Sequence, residues 1–217
     1  MRTETTTRTL YKFSELSPEA QQHALENQSR FESEDFVPGC IFYDAATVAD
    51  LFGLDIRQTR KTRMNGEHYY APTIYYSGFC YQGDGACFEG RYEYKRGALK
   101  AVKYHASQDQ ELHRIVKALQ DVQRKNFYQL TARCKHSGHY YHSGCMSVDV
   151  ERSDDKEMTD DAEETVKECL RDFADWIYKQ LENEYDYRTG EEACREAIEA
   201  NEYEFDEKGE LAGKNLG

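Results

Sequence analysis

The chain has 217 residues, with 41 Asp and Glu against 28 Lys and Arg, a formal net charge of −13. The surplus acid lies at one end: residues 151–217 hold 23 acidic and 9 basic residues, whereas residues 1–150 hold 18 and 19. Such a surface excludes ordinary nucleic-acid binding, which needs a basic footprint, and 17 Tyr with 10 Phe to bury exclude wholesale disorder.

No apolar run approaches the roughly 20 residues of a membrane helix. The start, MRTETTTRTLYKF, lacks the apolar stretch of a signal peptide. A cytoplasmic protein without a membrane partner is expected. The seven cysteines include no CxxC pair and are expected as free or buried thiols in a reducing compartment. Cys80 and Cys87 are placed to face each other across a hairpin.

In chain order, Met1–Leu10 reads as a short arm or frayed end. A first helix follows, with Ser17 as N-cap, Pro18 at its first position and Ala20, Ala24 and Leu25 as its apolar stripe. A second, about Phe42–Phe52, carries Ala45, Val48, Ala49 and Phe52 on one face and ends at Gly53. "LDIRQTR" and "HYYAPTIYYSGF" read as strands, the latter confined by Pro72 to an edge or bend. "FEGRYEYK" is another. "DQELHRIVKALQDVQRK" is a helix with Leu112, Ile115, Val116, Leu119 and Val122 at helical spacing. "NFYQLTARCKH" and "HYYHSGCMSVDVER" are strands separated by Ser137-Gly138. A long helix covers about Thr159–Tyr185, its inner stripe being Val166, Leu170, Phe173, Ile177 and Leu181, with Cys169 and Trp176 beside it. A shorter one covers Glu191–Ala200, and "YEFDEKGEL" adds a last strand or docked tail.

These elements imply an α+β fold, an antiparallel sheet of about five strands packed against helices. One domain is expected over residues 1–217, a mixed part (1–150) carrying an acidic helical part (151–217).

The stretch "YYSGFCYQGDGACFEG" holds four glycines, more than a turn needs. With Asp84 at the centre, Tyr81 falls opposite Cys87, Cys80 opposite Phe88, Phe79 opposite Glu89 and Gly78 opposite Gly90. Gly83 and Gly85 then serve the turn, and the Gly78/Gly90 pair bends or thins the stem. One reading is a packed hairpin with a turn aspartate. The other is a contact with a ligand or partner through Gln82, Gly83, Asp84 and Gly85, with Tyr76, Glu89 and His139 alongside. A small ligand there would lie between the hairpin and the helix holding His113, and a nucleotide signal is the class a glycine-rich loop suits.

His136, His139 and His142 form an H-x2-H-x2-H run. If the segment is a strand, His139 and His142 lie on opposite faces, so no metal site is expected even with His113 or Cys145 nearby. The chain has no GxSxG, P-loop, HExxH or strand-borne GxGxxG. No catalytic residue and no cofactor are expected.

Glu164, Glu168, Asp172, Asp175, Glu182 and Asp186 line the outside of the long helix, interrupted by Lys179. Such a row is either a solvated face or a docking surface for a basic partner, including a nucleic-acid-binding protein.

The strings "KFSELSPEAQQHAL", "YYSGFCYQGDGACFEG", "ELHRIVKALQDVQRKNFYQLTA", "HSGHYYH" and "LRDFADWIYKQLENEYDY" together resemble a family of small proteins encoded by tailed phages and prophages, sometimes labelled antitoxin of a toxin–antitoxin stability system. The resemblance runs from about Tyr11 to Phe205. It departs at Ser143-Gly144-Cys145-Met146, where that family carries a bulkier, more acidic run. It implies an accessory gene product of the bacterial cytoplasm that binds and blocks a host or anti-phage defence protein, or a toxin.

Overall fold

Short turns between neighbouring strands favour antiparallel pairing, and that is what forms. The computed structural model describes residues 7–213, so most of the N-terminal arm lies outside the described residues. In order these form Tyr11–Lys12 (β1), Pro18–Glu34 (α1), Gly39–Leu51 (α2), Leu54–Ile56 (β2), Gln58–Thr62 (β3), His68–Pro72 (β4), Ile74–Tyr76 (β5), Ala86–Phe88 (β6), Gly90–Glu93 (β7), Ala98–His105 (α3), Gln110–Lys125 (α4), Leu130–His136 (β8), Met146–Arg152 (β9), Ala162–Thr189 (α5), Glu191–Ala200 (α6) and Glu204–Phe205 (β10). The fold is α+β, with every strand pair antiparallel.

The largest sheet has four strands in the order β2-β7-β8-β9, and β1-β10, β3-β4 and β5-β6 are two-stranded. The expected strands thus divide among several sheets. The chain changes sheet at Glu89, whose N–H donates to the Thr73 carbonyl at 3.1 Å while its own carbonyl accepts from Arg57 N–H at 2.8 Å. Gly90 then enters β7 between Ile56 and Cys134. A β-carbon there would stand 2.5 Å from the Asp55 carbonyl oxygen, so the strands can meet at this point only around a glycine.

Contacts divide the chain into two compact units, Pro38–Glu182 and a second made of the segments up to Val37 and from Asn183 on. In the second, Ser17 Oγ accepts from the Ala20 N–H at 3.3 Å with Pro18 at the first helical position, as expected. Ala20, Ala24 and Leu25 are buried with Phe13, Cys194, Ile198 and Phe205. Helix α6 has the expected bounds, and β10 is the expected last strand, pairing with β1 through Tyr11↔Phe205.

In Pro38–Glu182 the four-stranded sheet buries one face. Leu54, Ile56, Tyr92, Leu130, Ala132, Cys134, Met146 and Val148 point inward, while Asp55, Arg91, Arg133 and Asp149 alternate outward. All five stripe residues of α4 are buried, and so is the expected stripe of α5. Phe173 anchors α5: its ring lies 5.0 Å from Phe52, 5.9 Å from Phe88 and 5.4 Å from Trp176. Asp109 serves two elements, one carboxylate oxygen capping α4 at the Leu112 N–H (2.8 Å), the other accepting from Trp176 Nε1 (2.6 Å).

Helix α3 was not foreseen. It starts after Gly97 at φ +83° with no capping side chain and buries only Val102, so no stripe announces it. All seven cysteines are free, and Cys87 pairs with Tyr75 rather than facing Cys80. Among the described residues no helix is long and apolar enough to cross a membrane.

Candidate functional site

The hairpin register differs from the Asp84-centred expectation. Tyr75 pairs with Cys87 and Tyr76 with Ala86, and Ser77 N–H donates to the Gly85 carbonyl at 3.1 Å, leaving a wide loop over residues 77–85. The predicted pairs Tyr81/Cys87, Cys80/Phe88, Phe79/Glu89 and Gly78/Gly90 do not form. Asp84 is not the tip of a tight turn but the clamp of this loop. Its Oδ2 accepts from the Cys80 N–H (3.0 Å) and the Tyr81 N–H (2.8 Å), and its own N–H donates back to the Tyr81 carbonyl at 3.1 Å. The Tyr81 amide, then that of Cys80, hold the Asp84 carboxyl below its ordinary pKa. Gln82 and Gly83 are exposed, and Gly83 has φ +106°, a conformation that favours glycine.

The residues after β8 also form a loop. Ser137 N–H donates to the Cys145 carbonyl at 3.0 Å, and a 3₁₀ turn covers Ser143–Cys145 before β9 begins at Met146. His139 and His142 therefore lie in a loop, not on opposite faces of a strand. His139 is exposed, and His136, at the end of β8, hydrogen-bonds the Tyr140 carbonyl at 3.1 Å. Tyr141 stacks on Tyr75 with centroids 5.4 Å apart. His113 is tied to the Ala106 carbonyl at 2.8 Å, and no group of three ligating side chains that could hold a metal occurs among the described residues.

The two loops interlock. A β-carbon on Gly85 would stand 2.6 Å from His142 Cβ and 2.8 Å from its Cα, so Gly85 is where one loop seats the other. Helix α5 braces both. Tyr178 Oη donates to the Gly78 carbonyl at 2.9 Å and its ring stacks on Phe79, which also meets Tyr76. Burial, with Glu182 and Asp84 nearby, pushes the Tyr178 phenol up to about 12. Asp175 keeps an open side, yet crowding around its carboxyl raises its pKa; Ser143 and His142 pull it down, and Asp172 adds to the rise.

Two regions that read separately in the sequence thus form one surface: loop 77–85, loop 137–145 and the turns of α5 around Asp175, Tyr178 and Glu182. A family model described as "Domain of unknown function (DUF8835)" matches residues 39–191, which contain this whole surface. The chain belongs to that family. Neither the curated proteins nor the solved structures give a match.

Within the DUF8835 region Glu89, Asp172, Glu164 and Glu168 lie apart from the loop tips. Glu89 accepts from Arg57 Nη1 (2.7 Å) and the Tyr75 hydroxyl (3.3 Å), so it braces the junction between sheets. Asp172 is held by Arg114 at 2.6 Å, an ion pair joining α4 to α5, and Glu182 pairs with Lys179 at 3.2 Å. Glu164 and Glu168 are exposed nearer the start of α5. Sequence reasoning missed Tyr81 and Tyr140 as surface residues and Tyr178 as the brace. The signal for Tyr178 was its position, flanking the apolar stripe at Ile177 and bordering the acidic row. Tyr81 is 81% and Tyr140 67% exposed, one on each interlocked loop. Chemically the surface offers aromatic faces, hydroxyls and neighbouring carboxylates on a scaffold whose loop backbone is already fixed.

Proposed function

We propose that this protein is a non-enzymatic interaction protein that binds a bacterial host or anti-phage defence protein and modulates or inhibits it. The observation that carries the reading is the exposure of Tyr81 and Tyr140 on two loops in contact at Gly85, one of them clamped by Asp84 and Tyr178. Tyrosine gives large contact area at small entropic cost, and loops fixed before binding lose little further freedom. Asp175 and Glu182 beside them suit a partner with a basic patch, such as a nucleic-acid-binding protein. The bacterial setting comes from the resemblance to phage-encoded proteins.

The test is affinity capture of the tagged protein from a bacterial lysate beside an Asp175→Lys/Glu182→Lys variant. A partner retained by the wild type, released by added salt and lost in the variant supports the reading. Equal retention by both removes the acidic turn from it.

A further inference from the structure

Cys145 differs in setting from the other six cysteines. Cys87, Cys134, Cys169 and Cys194 are buried, and Cys40 and Cys80 are exposed. Cys145 is half-buried, and its Sγ lies 3.3 Å from His142 Nε2. The imidazole is held in one orientation. The Gly144 N–H donates to His142 Nδ1 at 3.1 Å, so that nitrogen carries no proton and Nε2 carries the proton of the neutral ring. Nε2–H is therefore the donor of this contact and the sulfur its acceptor. Gly144 makes room for the ring and Gly85 for the backbone that carries it. A β-carbon on Gly144 would stand 3.0 Å from His142 Cε1 and Nδ1, and one on Gly85 would meet the His142 backbone.

Helix α5 brings Arg171 to the backbone that follows Cys145. Arg171 Nη2 reaches the carbonyl of Met146, the residue after Cys145, at only 3.5 Å, and Arg171 Nε is buried without a hydrogen-bond partner. One turn on, Asp175 feels both His142 and Ser143.

We propose that Cys145 is a nucleophilic thiol and a modification site for soft carbon electrophiles, with His142 as its positioning residue. With an α-halo amide the sulfur attacks the carbon. The S–C bond forms as the carbon–halogen bond breaks, halide leaves with the electron pair, and the thiol proton passes to solvent. Exposure alone ranks the sites the other way, with Cys40 and Cys80 ahead of Cys145.

The test treats the full chain with limiting iodoacetamide and follows all seven cysteines by peptide mass spectrometry. Cys145 is expected to react about tenfold faster than Cys40 and Cys80, the Nε2–H donor stabilising the charge that the sulfur carries as it attacks. His142→Ala is expected to remove most of that advantage, and His142→Gln, which keeps an N–H donor, to restore part of it. Cys40 and Cys80 serve as unchanged references, and continued protection of the four buried thiols reports an intact fold in each variant. Cys145 reacting no faster than Cys40 and Cys80 in the wild type overturns the proposal whatever the variants do. An unchanged Cys145 rate in folded His142→Ala overturns the role of the imidazole.

Discussion

Gly85 and His142, 57 positions apart in sequence, lie so close that a β-carbon at position 85 would stand 2.6 Å from that of His142. Each loop is the wall of the other. The contact fixes where Tyr81 and Tyr140 emerge and keeps the His142 ring over Gly144.

Gly85→Ala tests this contact. The atoms it would meet are His142 Cβ and backbone atoms rather than a flexible chain end, so one loop must move. Over-packing of this kind costs about 1–3 kcal/mol. Urea unfolding should show a lower midpoint at an unchanged m-value. An unchanged midpoint would mean that the loops separate freely.

Asp84 predicts a pH dependence confined to its loop. Its pKa is held below the ordinary 3.8, so what the carboxylate contributes is fully present above that value and is lost as pH falls through the lowered one. Hydrogen exchange should show the Cys80 and Tyr81 amides protected at neutral pH, and Asp84→Ala should abolish that protection while leaving β8 amides unchanged. Asp84→Asn, which keeps an acceptor oxygen, should retain part of it. Equal protection in wild type and Asp84→Ala would show that the loop closes without the carboxylate.

Gln123 is one of the few buried polar side chains among the described residues. Fully buried, it donates to the Leu130 carbonyl at 2.7 Å and accepts from the Leu130 N–H at 3.1 Å, pinning the start of β8 to α4. Gln123→Ala strands both backbone groups, each at a cost of about 1–3 kcal/mol. Thermal and urea unfolding should both register a loss of at least about 2 kcal/mol. A loss well below that would mean water replaces the amide.

What the sequence made legible follows from range. Stripes of α4 and α5 and the Ser17 cap of α1 are local patterns, and the structure places them as read. The hairpin register was not legible because it depends on long-range partners: Gly90 belongs to Ile56 and Cys134, not to Gly78. Asp84 looked like a turn tip because its backward reach to the Cys80 and Tyr81 amides leaves no spacing signal beyond that of a common turn residue. Strand propensity in HYYHSGC favoured a strand, yet the tertiary seat at Gly85 and the turn at Ser143–Cys145 make it a loop. The candidate surface was half legible. Its acids and glycines were read, but the tyrosines that project from it and Tyr178, which joins its parts, appear only once the chain is folded.

The most direct test of the binding surface compares capture from a bacterial lysate by wild type, Tyr81→Ala/Tyr140→Ala and Glu164→Lys/Glu168→Lys, all with unfolding midpoints measured beforehand. The account predicts a stoichiometric protein partner on the wild type, lost from the tyrosine variant and kept by the Glu164/Glu168 variant, with similar midpoints for all three. Undiminished capture by the folded tyrosine variant would contradict it.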